Sequence, residues 1–138
     1  MSRVDFYVLS DTSADARESF ACRLAAKASQ LDNRVHILHG DPDHLETMDA
    51  LLWTFSDASF VAHDRWPADD AIAPVTLGIA SDGLPEDATV CINLTSTPVM
   101  GCQRVAEIVA ANDDAKTASR QLYAAYRDDG AELNTHKI

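Results

Sequence analysis

The first half of the chain alternates between strand patterns and helix patterns, and this order restricts the fold more than any other feature. Residues 4–9, VDFYVL, are rich in β-branched and aromatic side chains, which is typical of a buried strand. A helix should follow up to about Leu31, because apolar residues recur there at helical spacing. Thr12 and Asp15 have the spacing of a capping box at its start. Residues 34–38, RVHIL, predict a second strand.

A second helix is predicted directly after the second strand. Residues 40–42 supply a turn, an N-cap at Asp41 and a proline at the first helical position. Leu45, Met48 and Leu52 then form an apolar stripe. Strands and helices that alternate in this order pack as parallel strands joined by right-handed crossovers. The sequence therefore predicts an α/β fold with a parallel sheet.

The second half of the chain is less regular. Residues 54–74 lack a sustained period and contain two prolines, so we expect a long connection with at most one short strand or turn. Residues 75–80 and 89–94 predict strands, since both are short apolar runs next to turn-forming residues. Residues 104–111 fit a strand and the start of a helix equally well.

Length, composition and charge predict one globular domain spanning residues 1–138. The formal net charge is −11, so strong direct binding to DNA or RNA is not expected. Residues 1–102 hold 16 acids and 6 Lys/Arg, whereas residues 103–138 hold 6 acids and 5 Lys/Arg. An anionic partner should therefore prefer the C-terminal part.

No apolar stretch suits a membrane span and no secretion signal opens the chain, so a cytoplasmic location is expected.

The motifs of nucleotide, metal and catalytic sites are missing from the sequence. The turn after the first strand, SDTSADA, contains no glycine, whereas backbone amides need glycines there to approach a phosphate. The histidines and aspartates within residues 36–44 fit no zinc spacing, and structural roles are favoured for them. No Ser-His-Asp set or cysteine nucleophile motif occurs. No cofactor or metal is therefore predicted, and the three cysteines are expected to be free thiols.

An apolar cluster follows the second predicted helix. Trp53 and Phe55 stand at the end of this helix, and Phe60 and Val61 lie in the irregular segment beyond it. Large apolar side chains in such a segment either cover the core or form an exposed patch for a partner, where aromatic side chains dominate binding energy. The spacing does not distinguish the two.

A last helix is predicted from Asn112 or Asp113, as N-cap, to about Asp128, and Gly130 should stop it. One face of this helix can pack on the sheet. Its residues are Ala115, Ala118, Leu122, Ala125 and Tyr126.

A cationic stripe occupies a separate face of the same helix. At about 100° per residue, Lys116, Arg120, Tyr123 and Arg127 fall within about 60° of one another. The ordinary explanation of such a stripe is a solvated helix surface. In a chain of charge −11, however, three cations beside a tyrosine also suit an acidic peptide or a terminal carboxylate held by arginine.

Several segments along nearly the whole chain form a recognisable set: VDFYVL, ALLW followed by SFVAHD, CINL and YAAYRDDGAELNT. In this order and near this spacing they resemble the chi subunit of bacterial DNA polymerase III holoenzyme. The resemblance implies a non-enzymatic accessory protein. Its expected fold is Rossmann-like and three-layered, with a mostly parallel, mixed sheet and no bound nucleotide.

The resemblance also implies two partners. In the family, the acidic C-terminal tail of single-stranded DNA-binding protein binds at positions that correspond to Lys116, Arg120, Tyr123 and Arg127. This agrees with the stripe found independently. The patch that faces the psi subunit, which ties chi to the clamp loader, corresponds to Trp53, Phe60 and Val61. A repair helicase is an alternative partner at that patch.

Two positions depart from the family pattern. Ala124 stands where another basic residue is expected, and Ala62 replaces a proline.

One rival function stays open. It is a small enzyme or nucleotide-binding domain on the same scaffold. It predicts a deep cavity at the carboxyl ends of the strands, with converging polar groups and altered pKa values.

Overall fold

The computed structural model describes residues 2–13, 15–54, 62–67 and 73–138. Its helices and strands follow the alternation that the sequence predicts. In chain order they are β1 (Arg3–Val8), α1 (Ala16–Gln30), β2 (Val35–His39), α2 (Pro42–Thr54), β3 (His63–Arg65), β4 (Val75–Ile79), a short 3-10 helix (Ala80–Asp82), β5 (Val90–Leu94), β6 (Arg104–Val109), α3 (Asp113–Asp128) and β7 (Glu132–Lys137).

The strands form one seven-stranded sheet in the order β3-β4-β2-β5-β6-β1-β7. Every pairing among the described strands is parallel, which confirms the predicted α/β fold and shows no antiparallel member within these strands. In β1 and β6 the register places Val4 opposite Val105 and Phe6 opposite Glu107. A parallel sheet needs helical crossovers on its faces, and α1, α2 and α3 supply them.

The helices divide between the two faces of the sheet and make three layers. On one face, buried residues of α1 and α2 pack on β2, β4, β5 and β6 around Ile37, Leu77 and Ile92. On the other face, Leu122 and Tyr126 of α3 pack against β1, β5 and β6. Burying apolar surface on both sides of the sheet is the main force that stabilises this arrangement. The predicted three-layer, Rossmann-like fold is thus confirmed.

The capping predictions for the first two helices had opposite outcomes. The capping box of Thr12 and Asp15 is wrong, because α1 begins only at Ala16 and Asp15 makes no side-chain cap. Ahead of the helix, the Ser13 amide instead donates to Asp11 Oδ1 at 2.9 Å. Asp41 does cap α2, since its Oδ1 accepts from the Asp43 amide at 2.9 Å. The predicted apolar stripe of α2 is buried, as expected: Leu45, Met48 and Leu52.

The segment that periodicity left undecided is a strand, β6. It lies between β5 and β1 and is buried on both faces, so its apolar residues show no alternation. The helix after it starts and stops as predicted. Asn112 Oδ1 accepts from the Ala115 amide at 2.8 Å, and Gly130 takes the left-handed conformation with φ 83°.

One strand was not predicted. Residues 132–137 form β7 at the edge of the sheet, paired with β1. The Glu132 amide donates to the Ser2 carbonyl at 2.8 Å, and the Ile138 amide donates to the Val8 carbonyl at 3.0 Å. Its sequence, ELNTHK, contains one strongly apolar residue, because an edge strand is only partly buried.

The long connection predicted for residues 54–74 contains the short strand β3. Residues 55–61 and 68–72 lie outside the described residues, so predictions on Phe55, Phe60 and Val61 are not placed. In the described parts of the chain, no helix is long and apolar enough to cross a membrane. The three cysteines are free and buried.

Candidate functional site

Helix α3 is fixed to the sheet by a buried tyrosine. The Tyr126 side chain is 1% exposed, and its hydroxyl donates to Glu107 Oε2 of β6 at 2.5 Å. The same hydroxyl accepts from the Val99 amide at 2.8 Å. Leu122, one turn earlier, is buried in the same cluster. These contacts fix the rotation of α3 about its axis and so decide which side chains face water.

Polar side chains of β5 and the following loop complete this network. Asn93 Nδ2 donates to Glu107 Oε2 at 2.7 Å and to the Thr97 carbonyl at 2.8 Å. Asn93 Oδ1 in turn accepts from the Thr95 hydroxyl at 2.6 Å. Burial raises the pKa of Glu107 to about 7, against the lowering effect of its hydrogen bonds. Burial also raises the pKa of Tyr126, so its phenol stays protonated.

The predicted stripe lies on the outer side of this anchored helix. We name this stripe the cationic ridge. All four of its residues are exposed: Lys116, Arg120, Tyr123 and Arg127. Their exposure follows from geometry, because Leu122 and Tyr126 point to the sheet and the ridge positions are rotated about 100° from them. The structure therefore brings together the four residues that the sequence selected.

Tyr123 is the one ridge residue that is held by the core. Its ring lies 5.6 Å from the Phe6 ring, centroid to centroid, at 47°, and Phe6 also contacts Tyr126 edge-on at 6.2 Å. The Tyr123 side chain is still 40% exposed. It therefore offers a fixed apolar surface between exposed cations, which is suited to receiving another aromatic group.

Acidic groups of the protein neutralise the ridge only weakly. Arg127 Nε lies 3.7 Å from Asp128 Oδ1, and both side chains are more than half exposed, so this pair contributes little. Lys116 and Arg120 make no ion pair with any carboxylate among the described residues. Their charges are therefore available to an anionic partner.

A further cation lies on the sheet face that α3 covers, and sequence reasoning missed it. Lys137 is exposed on β7 and stands opposite Val8 of β1. Since side chains alternate along a strand, Lys137 shares the sheet face of Phe6, on which α3 packs. No signal in the sequence places it there, because β7 itself was not predicted.

The second predicted site is only partly described. Trp53 stands near the end of α2 with 51% of its side chain exposed, and its ring lies 5.2 Å from the His63 ring. His63 Nε2 bonds to Asp49 Oδ1, and Arg65 Nη1 lies 3.3 Å from Asp49 Oδ2. Because α2 and α3 cover opposite faces of the sheet, Trp53 and the cationic ridge are separate surfaces.

A cavity also lies at the carboxyl ends of β2, β5 and β6, as the rival function predicts. Its volume is about 450 Å³, and its polar lining includes Arg17, His39 and Glu107. Burial lowers the pKa of His39 and raises that of Glu107. Within the described residues, no group of three or more His, Cys, Asp or Glu could hold a metal ion.

The fold and the ridge define a small α/β domain that carries an exposed cationic surface on α3. Comparison with known proteins gives the family. The family model described as "DNA polymerase III chi subunit, HolC" matches residues 1–134, and the chain belongs to this family. The DNA polymerase III subunit chi of Pseudomonas aeruginosa is 34% identical over 140 residues, covering 100% of this chain and 98% of that protein. The Escherichia coli subunit chi is 29% identical over 143 residues, covering 98% and 97%.

Proposed function

We propose that this chain is an accessory subunit of the DNA polymerase III holoenzyme that links two partners. The cationic ridge binds the acidic C-terminal tail of single-stranded DNA-binding protein, and the surface around Trp53 binds psi. Family membership supports the association with the holoenzyme. The observation that carries the tail site is the exposure of Lys116, Arg120 and Arg127 around a tyrosine fixed on Phe6.

The ridge suits an acidic peptide for two physical reasons. Arginine can hold a carboxylate through two parallel hydrogen bonds, and such charge-assisted bonds contribute about 1.5–3 kcal/mol each when partly desolvated. The Tyr123 ring next to Phe6 gives an apolar surface for an aromatic residue at the end of the tail. Together these terms support micromolar affinity, about −8 kcal/mol. Salt should weaken binding, because exposed charges are screened.

A peptide titration tests the tail site directly. The acidic tail peptide is titrated into the wild type and into Arg120→Ala, and we expect affinity to fall at least about tenfold, as the loss of one charge-assisted contact requires. Arg23→Ala is the matched control, since Arg23 is also exposed but lies on α1, on the opposite face of the sheet. Equal binding by the wild type and Arg120→Ala would show that the ridge is not the tail site.

The psi site rests on an exposed aromatic side chain. Trp53 is 51% exposed beside His63. Tryptophan at an interface commonly provides much of the binding energy, so this residue suits a partner surface. Phe60 and Val61 belong to this proposal by resemblance alone, since they lie outside the described residues. A repair helicase is the alternative partner at the same surface.

Co-purification with psi tests the Trp53 surface. Trp53→Ala should abolish co-purification while the circular dichroism spectrum and thermal midpoint stay close to wild type, because the side chain is half exposed. Leu31→Ala is the control, since it removes another exposed apolar side chain, 67% exposed, at the end of α1. Full psi binding by a folded Trp53→Ala would refute the assignment, and binding of a helicase instead would favour the alternative partner.

A further inference from the structure

The cavity at the carboxyl ends of the strands lies where the connections of two neighbouring strands diverge. From β1 the chain runs through α1 to β2 on one face, and from adjacent β6 it runs through α3 to β7 on the other. In open α/β sheets such a divergence leaves a crevice outside the strand ends, which is where ligands bind. The volume of about 450 Å³ is enough for a small organic molecule.

One wall of this crevice carries the guanidinium group of Arg17, which is held by a backbone carbonyl. Arg17 Nε donates to the Ile108 carbonyl at 3.1 Å, which fixes the side chain against the end of β6. No described carboxylate forms an ion pair with Arg17. The acids that influence its charge from further away are Glu18 and Glu107. Burial lowers the pKa of Arg17, so a bound anion would relieve the cost of holding this cation out of water.

His39 adds a neutral donor to the same crevice. Its Nδ1 accepts from the Asp41 amide at 3.3 Å, so the ring proton resides on Nε2. The two acids of the lining, Asp41 and Glu107, each make hydrogen bonds or an ion pair within the protein, those of Glu107 through Oε2. Asp41 caps α2 and pairs with His44 at 3.3 Å, while Glu107 accepts from Tyr126 and Asn93.

The rest of the lining is mostly apolar. Its walls are apolar side chains with three hydroxyl-bearing residues among them. The apolar residues are Phe6, Leu94, Ile108, Val109 and Leu122, and the hydroxyl groups belong to Thr95, Ser96 and Ser119. This surface suits a small hydrocarbon body rather than a sugar or a pyrophosphate. The glycine-free turn before α1 likewise offers no close approach to a diphosphate.

We propose that this crevice binds a small organic anion, with a carboxylate or phosphate head on Arg17 and His39 and an apolar body against Leu94 and Leu122. The site differs from the cationic ridge and does not depend on the proposed function. Benzoate and phenyl phosphate are suitable probes, because each joins one anionic head to a ring. Benzamide is the uncharged counterpart, and inorganic phosphate tests the head alone.

The experiment is a titration of the labelled protein followed by amide chemical shifts. We expect benzoate or phenyl phosphate to shift amides of Ser96, Ala110 and Asn112, and benzamide to shift them much less. Arg17→Gln should weaken binding at least about tenfold, as the loss of one charge-assisted contact requires. Arg23→Gln, on the same helix but outside the crevice lining, should bind as the wild type does.

Each outcome decides the question. A preference between benzoate and phenyl phosphate identifies the head group, and shifts confined to inorganic phosphate would contradict the apolar body. Absence of saturable shifts with either probe, or equal affinity in Arg17→Gln, would overturn the proposal. Should Arg17→Gln fail to fold, Arg17→Lys keeps the charge but loses the planar pair of donors, and its affinity must still fall. Tail-peptide binding, measured in parallel, should be unchanged in these variants.

Discussion

The buried carboxyl group of Glu107 allows a quantitative prediction about stability. Its pKa rises from the ordinary value of 4.5 to about 7, mainly because burial disfavours the carboxylate. Between these two pH values the folded protein holds a proton that the unfolded chain has released. The free energy of unfolding therefore falls as pH rises through this window. At about 1.36 kcal/mol per pKa unit, ionising Glu107 costs the fold about 3 kcal/mol.

A second buried group acts in the opposite direction. Burial lowers the pKa of His36 from 6.5 to about 4, and its Nδ1 lies 2.6 Å from Thr76 Oγ1. Here the unfolded chain holds the extra proton, so the free energy of unfolding rises as pH increases from about 4 to 6.5. In the wild type the two effects largely cancel, and the pH profile alone would reveal neither.

Glu107→Gln separates them, because glutamine has a similar shape, can accept from Tyr126 and Asn93, and does not ionise. His36 contributes equally to both proteins. We expect the free energy of unfolding of Glu107→Gln, minus that of the wild type, to increase by about 3 kcal/mol between pH 4.5 and a pH above about 7. Urea unfolding across this range measures the difference.

The control is Glu86→Gln, which removes an exposed carboxylate and should give a difference that does not change with pH. A constant difference for Glu107→Gln as well would refute the reasoning. It would mean that Glu107 ionises in the folded protein at its ordinary pKa, and that its hydrogen-bond network stabilises the carboxylate as much as burial opposes it.

Two further predictions concern α3 and its surroundings. Asn112→Ala removes the side-chain acceptor of the Ala115 amide, so the free energy of unfolding should fall by about 1 kcal/mol in urea unfolding, whereas Asn112→Asp should retain most of it. An unchanged value would show that water replaces the cap. Lys137→Ala should weaken acidic-tail binding by a factor of about 1.4 to 5 at low salt, because exposed ion pairs contribute about 0.2–1 kcal/mol. Unchanged affinity would place Lys137 outside the tail site.

The sequence by itself determined the features that depend on neighbours along the chain. Alternating strand and helix patterns predicted the α/β order, and Asp41 and Asn112 predicted two helix starts through contacts within three residues. The cationic ridge was predicted for the same reason, since helical spacing fixes which side chains share a face. The end of the helix at Gly130 was also predictable, because a residue in the left-handed conformation is commonly needed directly after a helix.

Only the tertiary structure decided the features that depend on residues far apart in the chain. Residues 104–109 are a strand because β5 and β1 flank them, and β7 exists because β1 offers it hydrogen bonds. The environment of Glu107, the sheet face of Lys137 and the crevice around Arg17 each require segments that meet only after folding. The burial and the ionisation of these side chains depend on tertiary contacts. Side chains that are distant in the sequence exclude water and lower the dielectric around them, and sequence neighbours do not.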